Sequence, residues 1–393
     1  MTKHLAVVSA PAHGHVNPTL PLVRELVRRG HRVTYPTSQT FRAAVTGAGA
    51  DFAELPGWGL PRRPGKIEFT PLLMGVMADM VIAQTRQMLP ELLARFAQDR
   101  PDAVCYDAMT PAGPMLAALL DVPAVQLVTG FASNEHYTLR EEMFPGLGAD
   151  ASALTDALDR IRRFAEENGV SRPVGALFAP VAEELNLVFV PRRFQYAEET
   201  FDERYVFVGP SVDGRESDDG WQAPAPGSRL LFISLGTAMN NRPEFFRMCV
   251  KAFRGTDWRV AMAIGDQVQR AELGPIPSNF EVRPYFPQPA VLGHATAFLT
   301  HSGMNSTMES LAAEVPMVSV PQMGEQAANA RRVEELGLGR RLPAKASADV
   351  LRETVAAVAD DPSIRANLAD MAKVIRDAGG APAAADAIER VLA

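Results

Sequence analysis

Cysteine is scarce in this sequence: among 393 residues only Cys105 and Cys249 are cysteines. Two cysteines cannot supply the disulfide framework of a small secreted protein. Both lie in apolar stretches, so we expect them to be buried as small hydrophobic side chains rather than to react as thiols.

Long apolar runs and an excess of positive charge are also missing. No run is long enough to cross a bilayer, and the chain starts without a basic segment or a signal cleavage pattern. We therefore expect a cytoplasmic protein with no membrane partner. The net charge of -7 leaves no electrostatic footprint for nucleic acid. A chain this acidic has to bind an anionic ligand through local groups rather than through its overall field.

The chain does contain two successions of alternating strands and helices. Near the N-terminus, LAVVSA is typical of a strand and PAHGHVN of a loop; Asn17 as N-cap and Pro18 at the first position predict a helix up to Gly30. PDAVCYD and PAVQLV continue this pattern. In the second half RLLFISLG, WRVAMAIG, FLTHSG and PMVSVPQ repeat it. Such alternation predicts parallel sheets.

A stretch rich in Gly, Pro, Ser and Asp separates the two halves. We place this linker at 209–228, between an N-terminal domain over 1–208 and a C-terminal domain over 229–378. A final helix over 379–393 is expected to pack back toward the first domain. The predicted fold is α/β, with two facing Rossmann-like doubly wound domains. Ligands of such sheets bind beyond the carboxyl ends of the strands, which predicts an active site in the cleft between the domains.

The segment FLTHSGMNSTMESL runs from a strand through a glycine-containing loop into a helix. Backbone N–H groups and the positive end of the helix dipole form an anion site there, and His301, Ser306 and Thr307 add donors. In the turn SLGTA, Gly236 lets the backbone approach a phosphate closely. Two alternatives stay open: Ser306 and Glu309 have capping-box spacing, and nicotinamide enzymes have similar loops. However, no G-x-G-x-x-G follows the first strand.

The stretch from Tyr285 to Gln326 reads YFPQPAVL and then FLTHSGMNSTMESLAAEVPMVSVPQMGEQ. It resembles the donor-binding signature of the UDP-dependent glycosyltransferases, specifically of their bacterial macrolide and natural-product branch. The resemblance covers nearly the whole chain, from HGHVNP to the final helix. It implies the two-domain GT-B fold and the transfer of a sugar, most simply glucose from UDP-glucose. The implied acceptor is a hydroxyl of a hydrophobic small molecule such as a macrolide, polyketide or flavonoid.

The resemblance also implies which residues contact the donor. Tyr285 stands where the family usually has a tryptophan stacked on the base, Glu309 would take the ribose hydroxyls, and Glu325 and Gln326 the sugar hydroxyls. The other implied donor contacts are Ser234, Gly236, Thr237, Phe286, Gln288, His301, Gly303, Asn305 and Ser306. Tyrosine offers less stacking area than tryptophan, so a dTDP-deoxysugar donor stays an alternative. A carboxylate at 309 favours UDP, whose ribose has both hydroxyls.

An acceptor hydroxyl needs a positioned base as it attacks the anomeric carbon. His13 and His15 lie in the first strand-to-helix loop, where a helix N-terminus favours neutral imidazole. Asp107, at the end of a strand in the same sheet, could fix the imidazole tautomer. On chemistry alone the histidines could equally be loop residues or adventitious metal ligands, and Asp107 a turn cap. The resemblance implies His13 as the base with Asp107 as its partner, and we expect His15 to support the loop.

The implied mechanism is a single displacement with inversion at the anomeric carbon. The leaving diphosphate would be stabilised by a helix N-terminus together with Thr237, His301 and Ser306. We therefore expect no cofactor and no metal ion, and no D-x-D segment lies in a plausible metal-binding loop. We further expect a monomer or a weak homodimer.

Two less regular stretches, 58–90 and 130–180, are rich in Met, Phe and Pro and are expected to carry the acceptor pocket. The candidate lining residues are Met74, Met77, Phe131, His136, Tyr137 and Phe144. For each of them ordinary core packing is the alternative. Three other functions are considered: a sugar-nucleotide epimerase, a non-catalytic nucleotide-sugar binding module and a nicotinamide oxidoreductase.

Overall fold

The computed structural model describes residues 2–55, 71–139, 151–174, 181–212, 220–237 and 240–393, with the backbone alone for 71–74 and 151–154. These residues form two compact units. The first comprises the described residues up to Ser211 together with Arg376–Ala393, and the second those from Val212 to Ile375. The chain thus leaves the first unit at Ser211, inside the stretch taken as a linker, and returns to it at Arg376.

A parallel sheet of seven strands forms the centre of the first unit. Its strands are β1 (His4–Val8), β2 (Arg32–Thr37), β3 (Asp51–Glu54), β4 (Ala103–Asp107), β5 (Ala124–Val128), β6 (Leu185–Val188) and β7 (Tyr205–Phe207). They lie in the order β3-β2-β1-β4-β5-β6-β7. The central strands β1, β4 and β5 are buried along their whole length, as expected when helices cover both faces of a sheet.

The helices of the first unit pack on the two faces of this sheet. Up to residue 167 they are α1 (His13–Arg28), α2 (Arg42–Gly47), α3 (Pro71–Phe96), α4 (Ala112–Leu120) and α5 (Ala151–Glu167). Short 3-10 turns lie at Gln39–Phe41, Arg192–Phe194 and Glu198–Thr200. The two faces form two cores: one contains β-strand residues with α1, and the other contains β-strand residues with α3 and α4.

Helix α1 begins five residues earlier than the sequence pattern predicts. Its N-cap is Ala12, not Asn17, and both Pro18 and Pro21 lie inside the helix. The carbonyl of Ala12 accepts the N–H groups of His15 and Val16, so the first turn forms before the prolines. Each proline removes one backbone hydrogen bond. The buried apolar face of the helix, on the first core, continues past both prolines.

The first of the two less regular stretches also differs from expectation. Much of 58–90 belongs to the single helix α3, which continues through Pro90. Its buried residues Ala78, Val81, Met88 and Leu92 recur at helical spacing and face the core. Residues 56–70 lie outside the described part of the chain.

The second unit is built on a parallel sheet of six strands. These are β8 (Arg229–Ser234), β9 (Trp258–Ala263), β10 (Phe280–Arg283), β11 (Ala297–Thr300), β12 (Met317–Ser319) and β13 (Gly339–Arg341), in the order β10-β9-β8-β11-β12-β13. A 3-10 turn lies at Arg270–Leu273. Its helices are α6 (Pro243–Phe253), α7 (Gln288–Leu292), α8 (Met304–Ala312), α9 (Gly324–Glu335), α10 (Ala348–Asp360) and α11 (Pro362–Asp377). Both sheets have the Rossmann order, which confirms the predicted fold class.

The last helix, α12 (Gly380–Val391), belongs to the first unit and packs on α1. Ala384, Ala387 and Ile388 are buried in the same core as the inner face of α1. At the rim, Arg29 donates to the carboxylates of Asp386 and Glu389. The final helix therefore completes the apolar core of the N-terminal sheet.

The structure also shows the environment of the two cysteines and the character of the described helices. Cys105 and Cys249 are both buried and free, and burial raises the pKa of the Cys105 thiol to about 12, which makes it a poor nucleophile. Among the described helices none combines the length and apolar character needed to cross a membrane.

Candidate active site

Strands β1 and β4 are neighbours in the first sheet although they are not consecutive in the chain, so the strand order reverses between them. Val8 pairs with Tyr106 in their register, which brings the residues after β1 and the end of β4 to the same carboxyl edge. Ligands of doubly wound sheets bind at such a reversal. The side chains that reach this edge are those of His15 and Asp107.

Asp107 and His15 form a hydrogen-bonded pair. The Oδ2 atom of Asp107 lies 2.7 Å from Nδ1 of His15, and its Oδ1 accepts the N–H of Met109 at 2.8 Å. The carboxylate is 1% exposed, whereas the imidazole is partly exposed. The Thr129 hydroxyl, just beyond β5, lies 3.4 Å from the same Nδ1. Asp107 is thus fixed by the backbone and holds the imidazole in one orientation.

The histidine that meets Asp107 is not the one that the sequence analysis selected. We predicted His13 as its partner and His15 as a support for the loop. Both residues lie in α1 rather than in a loop, and side chains two positions apart on an α-helix differ in direction by about 200°. His13 is exposed and its ring meets Phe41 edge-on, with 5.0 Å between centroids. The predicted pairing is therefore corrected to His15–Asp107.

This pair has the arrangement of a general base and its orienting group. A carboxylate that accepts from Nδ1–H leaves Nε2 as the unprotonated nitrogen of a neutral imidazole. The same carboxylate stabilises the imidazolium once Nε2 has taken a proton. The pair can therefore remove a proton from a hydroxyl that approaches this edge of the sheet.

In the second sheet the strand order reverses between β8 and β11, and the turns that follow these strands meet around His301. A Cβ atom at Gly236 would lie 2.6 Å from Nε2 of His301, and one at Gly303 would lie 2.5 Å from the same atom. Gly236 also has a φ of 76°, a conformation that favours glycine. Both predicted glycines are thus required by the close approach of this imidazole.

Burial lowers the pKa of His301 to about 4, against a smaller opposite effect of the Ser234 backbone. The imidazole is therefore neutral at neutral pH and can act as a hydrogen-bond donor or acceptor, but not as a fixed positive charge. Any anion bound here has to rely on N–H and hydroxyl groups, together with the N-terminus of α8. An acidic chain could in this way bind an anion through local groups rather than through its overall charge.

Glu309, Gln288 and Ser306 form one polar cluster beside this turn. The Nε2 atom of Gln288 donates to Oε2 of Glu309 at 2.7 Å and to Oγ of Ser306 at 3.1 Å. Helix α8 has Gly303 as its N-cap, without a side-chain cap, and Ser306 lies inside the helix. The capping-box alternative for Glu309 is therefore wrong, because the N-cap lies three residues before Ser306.

Tyr285 and Phe286 follow β10 and have opposite environments. Tyr285 is 52% exposed and offers an aromatic surface to a planar ligand. Phe286 is buried, with its ring edge-on to Phe232 and under the guanidinium of Arg283. A contact from residue 286 to a ligand would therefore involve its backbone.

Glu325 and Gln326 lie at the start of α9, just after the turn that follows β12. The Oε1 atom of Gln326 accepts the N–H of Gln322 at 2.8 Å, and the Gln322 side chain accepts from Arg242 at 2.5 Å. Glu325 lies in the first turn of α9. Sequence reasoning missed Arg242 and Gln322, because their link joins two turns that are distant in the chain.

The remaining predicted donor residues lie in the same turns. Ser234 ends β8, and its Oγ accepts the N–H of Gly236 at 3.3 Å. Thr237 is exposed beyond that turn, and Asn305 lies in the first turn of α8. No group of side chains suited to a metal ion is found in the described parts of the chain.

The predicted acceptor residues that the structure describes have different environments. Phe131 stacks on Phe194 and contacts Tyr196, and Tyr137 stacks on Tyr196. His136 is 63% exposed and Met77 is partly buried. The side chain of Met74 and residue Phe144 lie outside the described part.

A small pocket that the sequence analysis missed is lined in part by Met109, whose N–H donates to Asp107. It is formed by the turns after β1 and β4 and by one face of α3, and its lining includes Ala10, Val81, Thr85, Met88, Met109 and Thr110. Val81, Thr85 and Met88 recur at helical spacing, which could have indicated a common face.

Comparisons with known proteins agree with this geometry. The sequence profile described as UDP-glucoronosyl and UDP-glucosyl transferase matches residues 221–385. The NDP-glycosyltransferase YjiC of Bacillus licheniformis is 42% identical over 400 residues, which cover 100% of this chain and 98% of that protein. The chain belongs to this glycosyltransferase family.

Two further relatives extend the comparison. The demethyllactenocin mycarosyltransferase of Streptomyces fradiae is 38% identical, over 99% of this chain and 86% of its own. The crystal structure of the calicheamicin glycosyltransferase CalG4 matches with a TM-score of 0.86 and 38% identity, over 100% of this chain and 98% of that one. The family resemblance and the GT-B fold expected for this glycosyltransferase are thereby confirmed.

Proposed function

We propose that this glycosyltransferase moves glucose from UDP-glucose to a hydroxyl of a hydrophobic natural product, with inversion, and that His15 is its general base. The observation that carries the proposal is the 2.7 Å hydrogen bond between Nδ1 of His15 and the buried Asp107 carboxylate. It moves the role of base from His13, which the sequence analysis had selected, to His15.

In the proposed reaction, Nε2 of His15 takes the proton of the acceptor hydroxyl while the oxygen attacks the anomeric carbon. The bond from that carbon to the UDP oxygen breaks, and both electrons leave with the diphosphate. Asp107 stabilises the imidazolium that forms. The N-terminus of α8 and the hydroxyls of Thr237 and Ser306 would stabilise the charge on the leaving diphosphate. The imidazolium then loses its proton to solvent.

The acceptor class is supported by the relatives. One relative carries demethyllactenocin in its name, and a solved relative is described as a calicheamicin glycosyltransferase. These relatives favour an apolar acceptor over a sugar or a protein.

An acceptor panel tests the proposed function. Macrolide, polyketide and flavonoid acceptors would be incubated with UDP-glucose or dTDP-glucose and the products measured by mass spectrometry, with the anomeric configuration from NMR coupling constants. We expect a β-glucoside from the α-linked donor. UDP binding without transfer to any acceptor would instead favour a non-catalytic binding module. Release of an epimerised sugar nucleotide would favour an epimerase.

A dTDP-deoxysugar is the second candidate donor, and two observations favour it. Tyr285 replaces the larger tryptophan at the proposed base-stacking position, and one relative is named a mycarosyltransferase. The Glu309 carboxylate is the opposing observation, because it can accept from both hydroxyls of a ribose but only from one of a deoxyribose.

Replacing Glu309 with alanine should weaken UDP binding by about tenfold, as expected for the loss of hydrogen bonds to a charged acceptor. The preference for UDP over dTDP should shrink at the same time. Isothermal titration with both nucleotides gives the two affinities, and Glu353→Ala, on the exposed side of α10, is the matched control. A lower Tm with unchanged UDP affinity would contradict the proposed role of Glu309.

We propose that transfer needs no metal ion. If N–H and hydroxyl donors stabilise the diphosphate, EDTA should leave kcat unchanged and added Mg²⁺ should alter it by less than about twofold. Initial rates measured after dialysis against EDTA check this. Activity that disappears with EDTA and returns with Mg²⁺ would refute the metal-free mechanism.

A further inference from the structure

The turn between β11 and α8 contains a residue in an uncommon backbone conformation. Ser302 has a φ of 61°, in the left-handed region that is costly for side chains other than glycine. It lies between His301 and Gly303, at the start of the proposed diphosphate site. Such a conformation persists only where the surroundings hold it.

Two hydrogen bonds hold Ser302 in place, one on each side of its backbone. Its N–H donates to Oγ1 of Thr300 at 3.1 Å, and its carbonyl accepts from Nδ2 of Asn329 at 2.8 Å. All three residues are fully buried. Thr300 is near in the chain, whereas Asn329 comes from the middle of α9.

The hydrogen bond from Asn329 also determines the direction in which the N–H group of Gly303 points. The carbonyl of Ser302 and the N–H of Gly303 belong to one planar trans peptide and point in opposite directions. By holding the carbonyl toward α9, Asn329 directs the Gly303 N–H away from α9. Gly303 is the N-cap of α8, so this N–H precedes the N–H groups of the helix start that the diphosphate would meet.

The burial of Asn329 does not favour stability. Its Oδ1 atom has no hydrogen-bond partner among the described residues, and an unpaired buried acceptor destabilises the fold. Among the described residues, the hydrogen bond that the Asn329 side chain makes is to the strained turn.

We infer that Asn329 is a positioning residue for diphosphate binding, which acts by holding Ser302 in the left-handed conformation. The inference rests on the proposed diphosphate site and adds a residue that does not touch the ligand. Without the Asn329 bond, the Ser302–Gly303 peptide rotates toward lower-energy conformations, and the diphosphate then has to bind a less ordered turn.

The test is the affinity for UDP in a double-mutant cycle on the full chain. Asn329→Leu should weaken UDP binding by about tenfold, because one buried hydrogen bond and the conformation it holds are lost. Ser302→Gly provides the second background of the cycle, since glycine adopts the left-handed region without strain, and its own effect on the affinity is measured and subtracted. In the Ser302→Gly background, Asn329→Leu should then cost less than about threefold. Calorimetric titration with UDP gives all four values.

Asn279→Leu is the matched control. Asn279 lies in the same unit, just before β10, and also donates to backbone carbonyls, those of Phe253 and Trp258. Its loss should lower Tm without changing the UDP affinity. Asn329→Ala replaces Asn329→Leu if the leucine variant does not fold, and the same cycle is measured with it.

Two outcomes would overturn the inference: unchanged UDP affinity in the Asn329 variant, or an equal loss in the parent and Ser302→Gly backgrounds. An equal loss would mean that Asn329 does not act through Ser302. Failure of the parent protein to bind UDP would overturn the proposed function itself, and the inference with it.

Discussion

Replacing His15 with alanine should lower kcat by about a thousandfold and leave the Kd of UDP-glucose unchanged. The acceptor hydroxyl would then lose the group that removes its proton, and general-base catalysis typically contributes about 10²–10⁴-fold. The turns proposed to bind the diphosphate belong to the other unit of the chain, so we expect donor affinity not to depend on His15. Single-turnover rates and calorimetric titration separate the two quantities.

His13→Ala is the matched control for this prediction. His13 lies on the same first turn of α1. It is exposed, and its ring contacts that of Phe41. Its replacement should change kcat by less than about threefold. If His13→Ala abolished transfer and His15→Ala did not, the base would be His13 and the His15–Asp107 bond would be structural.

Replacing Asp107 with asparagine should lower kcat by about 10³–10⁴-fold, an effect of the size known for orienting carboxylates in catalytic triads. An asparagine can turn its NH₂ group toward Nδ1 of His15. That would place the imidazole proton on Nε2, so that Nε2 could no longer accept one. The asparagine would also remove the negative charge that stabilises the imidazolium.

The kcat of Asp107→Asn should be compared with that of Asp102→Asn. Asp102 precedes β4, at the opposite edge of the same sheet, and its carboxylate accepts the N–H of His4 at 2.6 Å. Asp102→Asn should affect Tm alone. If Asp107→Asn, like the control, lowered Tm but left the kcat of the folded protein unchanged, Asp107 would be structural.

The sequence predicted the parts of the fold that depend on local pattern. Strand and helix alternation predicted two doubly wound sheets, and the apolar strand that ends at Asp107 placed that carboxylate at a carboxyl edge. Gly236 was predicted to let the backbone approach a phosphate closely, and in the structure a Cβ atom at this position would meet the His301 ring.

The choice between His13 and His15 could not be made from sequence because it depends on where α1 starts. Asn17 and Pro18 form a good helix start in isolation, and a helix that begins there leaves both histidines in a loop. The turn at Ala12 moves the start to His13, and the helical phase then turns only one imidazole toward Asp107. A shift of five residues in one boundary thus decides which histidine meets Asp107.

Other parts of the site depend on contacts between distant segments. The aromatic cluster around Phe131 is one example, because Phe194 and Tyr196 come from a turn after β6. The contact between Asn329 and Ser302 is a second example, because no short motif relates a residue in the middle of α9 to a strained turn before α8. Such links become visible only when the elements are placed in space.

The position of α12 has a consequence for the order of folding during synthesis. Ala384, Ala387 and Ile388 fill the core beneath α1, yet they leave the ribosome only after the whole second unit has been made. Until then the emerging first unit has an open apolar groove along α1. The second unit, whose core comes from one continuous stretch of chain, can fold before the first is complete. The protein is therefore expected to complete its N-terminal half last.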